Sequence, residues 1–199
     1  MRTPWIVLDS CLVFLLLLGA VAAPQAATLE FFGSRDTFGG PPAAPNPIRC
    51  GTPAPPNLFL DLPTGPGASN LGAFSHKDSH CINVATGSIF NGLFDWDFGG
   101  GNTIFGTFLG TITLPPVNGV ASFIETFTLT GGTGQYLNST GGFLANGAVM
   151  FQTDSSHLDF RGLITTVPEP ATTTLLMLGI AALAVGRRGR NRSSLGSQT

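Results

Sequence analysis

The chain has 199 residues, 43% of them hydrophobic and only 10% charged, with a formal net charge of −2. Between Thr28 and Pro170 ten acidic residues stand against four basic ones, Arg35, Arg49, Lys77 and Arg161, so this stretch is near −6 and lacks the basic footprint of a nucleic-acid binder. Sixteen Phe against one Tyr point to buried aromatic surface rather than a sugar-stacking face, and about 140 residues suffice for one domain with a real core.

In chain order, residues 1–27 read as a secretory signal peptide. Arg2 precedes an apolar stretch with FLLLLG at its heart, and the small residues of GAVAAPQAA follow. Ala20-Val21-Ala22 fits the small-x-small cleavage rule, so cleavage is expected after Ala22, with Ala26 as the neighbouring alternative. Cys11 lies before the apolar run rather than after it, which speaks against lipidation.

Residues 28–166 are expected to form the mature domain. Thr28 to Phe32 supplies a first strand. The Pro/Gly-rich stretch 34–57, SRDTFGGPPAAPNPIRCGTPAPPN, reads as a long loop. Asn57 to Leu62 and Asn70 to His76 supply two more strands, with PTGPG between them as the turn. Alternation then becomes clear. In GSIFNGLFDWDF, Phe90, Phe94, Trp96 and Phe98 share one face, leaving Asn91, Asp95 and Asp97 on the other. After the GGGN turn, Ile104, Phe108, Ile112 and Leu114 oppose a row of threonines. VASFIETFTLT repeats the pattern with Phe123, Phe127 and Leu129. FLANGAVMF and HLDFRGLITT bring the expected count to eight strands, and the domain reads as all-β.

Candidate site residues are few. Cys50 and Cys81 would enclose a loop of about thirty residues, and an oxidising compartment permits a disulfide that contributes roughly 3 kcal/mol in the chain-entropy model. Two free buried thiols are the other reading. In HKDSHC, His76 and His80 are of ligand type, but an i, i+4 pair serves a metal on a helix and no helix is expected there. A surface loop with ordinary histidines is the plainer reading. No metal and no cofactor are therefore assigned. Asp95 and Asp97, and likewise His157, Asp159 and Arg161, read as the solvated faces of strands.

The tail carries three physically distinct parts within residues 167–192. Pro168-Glu169-Pro170 is an extended handle, because each proline fixes its own φ and biases its predecessor away from helix. Residues 171–185 are apolar and read as a short transmembrane helix. At about 1.5 Å per residue they reach roughly 22 Å, less than the ~30 Å hydrocarbon core, so the segment is a provisional hold. Arg187, Arg188, Arg190 and Arg192 form a cationic stop that stays cytoplasmic. Residues 193–199 are a polar tail. An ordinary C-terminal anchor is the alternative.

The tail resembles the PEP-CTERM sorting signal of exported bacterial proteins. That resemblance implies an exosortase as partner, transient anchoring in the inner membrane, and a final place in the envelope, at the surface or in the extracellular matrix. Exopolysaccharide and biofilm enter as further implications. A second resemblance rests on GGTGQYLNSTGG (131–142), where Tyr136 is the packing anchor, and on the run after His80-Cys81 through TGSIFNGLFDWDFGGGNTIFGTFLGTITL. These segments resemble the allene oxide cyclase and dirigent barrel-like group, which implies a small antiparallel barrel of about eight strands. No motif carries over that group's activities. The expectation is a non-catalytic exported protein. A barrel binding a small apolar ligand, or a metal-dependent enzyme, are the alternatives.

Overall fold

Strict alternation builds most of the strands. In the computed structural model, which describes residues 26–40, 43–52, 57–166 and 179, strand β8 (Val120–Gly132) buries Ala121, Phe123, Glu125, Phe127 and Leu129 and exposes the residues between them. The same period of two runs through β7 (Thr103–Ile112) and through Gly92 to Asp97 of β6 (Ser88–Asp97), with Phe94 and Trp96 inward and Asp95 and Asp97 outward. An irregularity between Ile89 and Gly92 shifts the phase, so Ile89 is buried and Phe90 does not share the face of Phe94 and Trp96 that its spacing suggested.

Eight antiparallel strands close on one another. β1 (Ala27–Phe38) pairs along its full length with β10 (Ser155–Thr166), and β10 continues through β9 (Thr140–Met150), β8, β7 and β6 to β5 (Gly72–Asn83). The short β4 (Gly65–Ser69) pairs with both β5 and β1 and shuts the ring. This is the expected all-β barrel of eight strands, and closure pairs most of the edge that an open sheet of such apolar strands would present. β3 (Leu58–Asp61) runs beside the second half of β5, and β2 (Ala44–Pro45) pairs with β3 outside the ring.

Three boundaries differ from the sequence expectations. β1 continues to Phe38, five residues into the stretch read as a loop, because Ser34 to Phe38 find partners from Asp159 to Ser155 and the Gly/Pro density begins only at Gly39. Within the same stretch lies a one-turn helix, α1 (Pro47–Cys50), opened by Asn46, whose side-chain oxygen accepts from the Arg49 N–H at 3.1 Å. PTGPG is not the turn: Gly65 onward is already β4, and the chain reverses at Asn70-Leu71. β5 then extends through the whole of HKDSHC. Signal-cleavage residue Ala22, the sorting residues Pro168, Glu169 and Pro170, the four arginines from Arg187 to Arg192 and the expected transmembrane helix lie outside the described residues. Among the described residues no helix is long and apolar enough to cross a membrane.

The register gives the barrel two poles. Ala27 and Thr166, the first residue of β1 and the last of β10, are paired at one, while Phe38 and Ser155 are paired at the other. Toward the first pole the interior is filled with aromatic rings. Phe127 stacks on Phe143 at 4.6 Å, Phe74 stacks on Trp96 at 4.6 Å, and Phe31 meets Phe160 at 4.8 Å. Glycines on neighbouring strands admit these rings: a Cβ at Gly106 would stand 2.1 Å from the Thr128 carbonyl oxygen and 2.8 Å from Phe94. Core, ladder and covalent cross-link all lie within residues 26–167, one compact unit with its own hydrophobic core, the anatomy of an independently folding domain.

Candidate functional site

The inward face of β5 carries Phe74, His76, Asp78 and His80 in succession, so a polar layer rests directly on the aromatic core. Its centre is Asp78. Arg35 Nη2 lies 2.9 Å from Asp78 Oδ2, His76 Nδ1 lies 3.3 Å from the same oxygen, and the Trp96 Nε1–H donates to Oδ1 at 3.0 Å. Burial pushes the Asp78 carboxyl up, but Arg35, His76 and Trp96 together outweigh that and hold it below the ordinary carboxylate range. Arg35 also donates through Nη1 to Thr37 Oγ1 at 3.1 Å.

His76 has a further structural task. β1 meets β4 only from Gly33 to Arg35, so beyond Arg35 the side of β1 facing β4 has no strand partner. There the Asp36 carbonyl accepts from His76 Nε2 at 3.0 Å, a side chain completing what the ladder leaves open.

Above this layer, toward the second pole, the barrel is not filled. A cavity of about 580 Å³ opens there, with Arg35, His80 and Glu125 at its polar end and aliphatic side chains such as Leu60, Ile82, Ile112 and Val149 in its walls. Glu125 is 3% exposed and His80 6%, yet Glu125 Oε2, His80 Nδ1 and Arg35 Nε have no hydrogen-bond partner among the described residues. Burial pushes the Glu125 carboxyl up to about 7, aided by Asp78 and opposed by Arg35. Burial likewise pushes His80 down to about 4, with Arg35 and Arg49 lowering it further and Asp78 acting the other way.

A register shift in β5 between Ser79 and Cys81 separates this interior from the outer wall. Cys81 forms a disulfide with Cys50 of α1, S–S 2.02 Å. Beside it Arg49 donates to Ser79 Oγ and to the Ser79 and Asn91 carbonyls at 2.8 to 3.1 Å, and its guanidinium lies 4.7 Å over the Phe59 ring. These contacts fasten the segment between β1 and β3 against the barrel.

The sequence-selected residues therefore divide. His76 and His80 lie on a buried strand face rather than a surface loop, because Phe74 and Trp96 draw that face inward. Among the described residues no group of three or more His, Cys, Asp or Glu side chains is arranged to hold a metal. Asp95 and Asp97 are exposed, and Asp97 caps the following turn by accepting from the Gly99 N–H at 2.7 Å. His157 bridges the outer faces of β1 and β10, with Nδ1 2.7 Å from Asp36 Oδ1, and hydrogen bonding to Asp36 raises its pKa. Ala26 is exposed immediately before β1. Sequence reading missed Arg35 and Glu125. Glu125 had a usable signal, since it falls in phase with Phe123 and Phe127 and so carries a carboxyl to the buried face.

Fold and site together define a closed eight-stranded antiparallel barrel, packed with aromatic rings at one pole and hollow at the other. At its C-terminal side, residues 166–191 match the PEP-CTERM protein-sorting motif. That motif indicates export, membrane-associated sorting and processing by an exosortase. Among solved structures, the pterocarpan synthase dirigent protein GePTS1 is similar with a TM-score of 0.47 at 13% identity, over 72% of this chain and 89% of that one. No curated protein matches the sequence.

Proposed function

We propose that the protein is a non-catalytic component of the bacterial envelope or extracellular matrix, sorted and cut by an exosortase, with a barrel that holds a small apolar ligand. The match of residues 166–191 to the sorting motif carries the first half of this reading. The handle at Pro168, Glu169 and Pro170 is where the exosortase would act, the segment 171–185 is the provisional membrane hold, and Arg187 to Arg192 set its orientation. Signal-peptide cleavage after Ala22 would leave four residues ahead of β1, whereas cleavage after Ala26 would make Ala27, the first residue of β1, the new N-terminus. Exopolysaccharide is the partner we assign to the matrix-bound form, since the sorting system accompanies its production.

The ligand-binding half rests on the cavity. Its volume lies within the ~300–1,000 Å³ of small-molecule sites, and it pairs an apolar wall with a few convergent polar groups. It opens at the pole opposite the paired residues Ala27 and Thr166.

The deciding experiment follows the protein in hosts with and without the exosortase, reading mass and cell fraction with an antibody against the barrel. A form shortened at its C-terminus and released from the inner membrane only when the enzyme is present supports the sorting reading. Full-length protein in the inner membrane of both hosts reduces the tail to a plain anchor.

A further inference from the structure

The floor of the cavity is built from three strands that the chain brings together late: Arg35 from β1, His80 from β5 and Glu125 from β8. Each is at least nine-tenths buried, and each keeps one polar atom, Arg35 Nε, His80 Nδ1 and Glu125 Oε2, without a partner. Buried polar atoms in native proteins are nearly always satisfied, so three such side chains on one cavity floor call for an occupant with a polar group of its own. Room for the carboxyl is provided by its neighbours in the ladder, Gly110 on β7 and Ala145 on β9. A Cβ at Gly110 would come within 3.0 Å of the Glu125 side chain.

Resting on the ligand-binding reading above, we propose that this floor receives the hydroxyl head of an uncharged aliphatic amphiphile, which donates to the Glu125 carboxyl group and accepts from the Arg35 guanidinium. The donor and acceptor inventory selects the head group. The floor offers an orphan acceptor on Glu125 and an orphan donor on Arg35, and a hydroxyl is the smallest group that both gives and takes a hydrogen bond.

Charge argues the same way. Arg35 is already neutralised by Asp78 at 2.9 Å. An ammonium head drawn to Glu125 would also face Arg35, and a carboxylate drawn to Arg35 would face Glu125 and Asp78. Either ion would lose its hydration in a site already hostile to charge, as the upward shift of Glu125 to about 7 and the downward shift of His80 to about 4 both express. The walls select the body. Leu60, Ile82, Ile112, Leu114 and Val149 are branched and aliphatic, and Phe123 and Phe151 are the rings that join them. Walls that are mostly aliphatic grip an alkyl or alicyclic body chiefly by close packing.

The test uses purified residues 26–167 and four probes of one chain length, 1-decanol, decylamine, decanoate and decyl methyl ether, titrated by calorimetry at pH 7. We expect one-to-one binding of the alcohol, about tenfold tighter than any other probe, the effect of one additional hydrogen bond. Glu125→Gln, whose amide carbonyl still accepts, retains the alcohol within about threefold, and Glu125→Leu weakens the alcohol about tenfold while leaving the ether within about threefold. Equal or tighter binding of the amine or the carboxylate overturns the neutral head group. Equal binding of ether and alcohol also overturns it, while leaving the cavity as an apolar ligand site. Failure of all four probes removes the ligand-binding reading itself. The ranking of probes on the unmodified barrel decides the matter even where a variant does not fold.

Discussion

Replacing Glu125 by Gln isolates the cost of a buried carboxyl. In the folded barrel Glu125 titrates at about 7 against an ordinary value of 4.5, and His80 at about 4 against 6.5. For Glu125 the folded state holds its proton more tightly than the unfolded chain, so stability falls as pH rises from about 4.5 and the loss is complete above about 7. For His80 the unfolded chain binds the proton first, so stability falls as pH drops from 6.5 toward about 4. Each displacement of about 2.5 pH units corresponds to about 3 kcal/mol at 1.36 kcal/mol per unit. Between pH 4.5 and 6.5 the two slopes therefore oppose and nearly cancel in the native protein. Glu125→Gln removes one of them. Urea denaturation of residues 26–167 across pH 4.5 to 8 is expected to show the variant gaining on the native protein by about 3 kcal/mol, with most of the gain between pH 5 and 7. Contributions from Asp78 and His157 are common to both proteins and drop out of the difference. A gap that does not change with pH would refute the reasoning, because Glu125 would then be ionised in the folded state at every pH tested.

Three further outcomes are measurable by the same denaturation. Asp78→Ala leaves Arg35 buried without its counter-charge and is expected to cost about 3–5 kcal/mol, whereas Arg35→Met with Asp78→Leu should recover much of the loss; the stability that Asp78 contributes is present above pH 3.8 and disappears as pH falls through its lowered folded value. Replacing Cys50 and Cys81 together by Ser opens a cross-link spanning 31 residues and should cost about 3–4 kcal/mol, with reductant producing the same shift in the unmodified protein and none in the variant. Phe127→Ala removes a fully buried ring that stacks on both Phe108 and Phe143 and should cost about 3–5 kcal/mol, with the cavity binding unchanged if the aromatic pole and the hollow pole are independent.

The strands were legible where polar and apolar residues alternate without interruption. Phe94 and Trp96 against Asp95 and Asp97, or Phe123 and Phe127 against Ser122 and Thr126, announce both their strand and its buried face. Tyr136 too lies where the glycine-rich segment suggested, buried with its ring 5.1 Å from Phe98. The candidate site was harder to see because its residues violate the pattern that reveals the fold. HKDSHC reads as polar surface, yet its His76, Asp78 and His80 take the inward phase set by Phe74. Arg35 sits in a segment whose later Pro and Gly residues mask its strand, and only pairing with β10, more than a hundred residues away, makes it one. Pairing at that distance follows from topology, which local periodicity does not encode. The cysteines lay between: their types and spacing admitted a bridge, and the separation of 5.6 Å between their Cα atoms required the fold.

The pairing of β1 with β10 also sets an order of events. β1 is the first strand of the ring to be made and β10 the last, so a chain interrupted before Ser155 leaves β1 and β9 with open edges and a ring that cannot shut. The sorting motif begins at residue 166, the final residue of β10 and the partner of Ala27. A ribosomal product therefore acquires its sorting signal only after it has acquired the strand that seals the barrel, and copies interrupted before Ser155 carry neither.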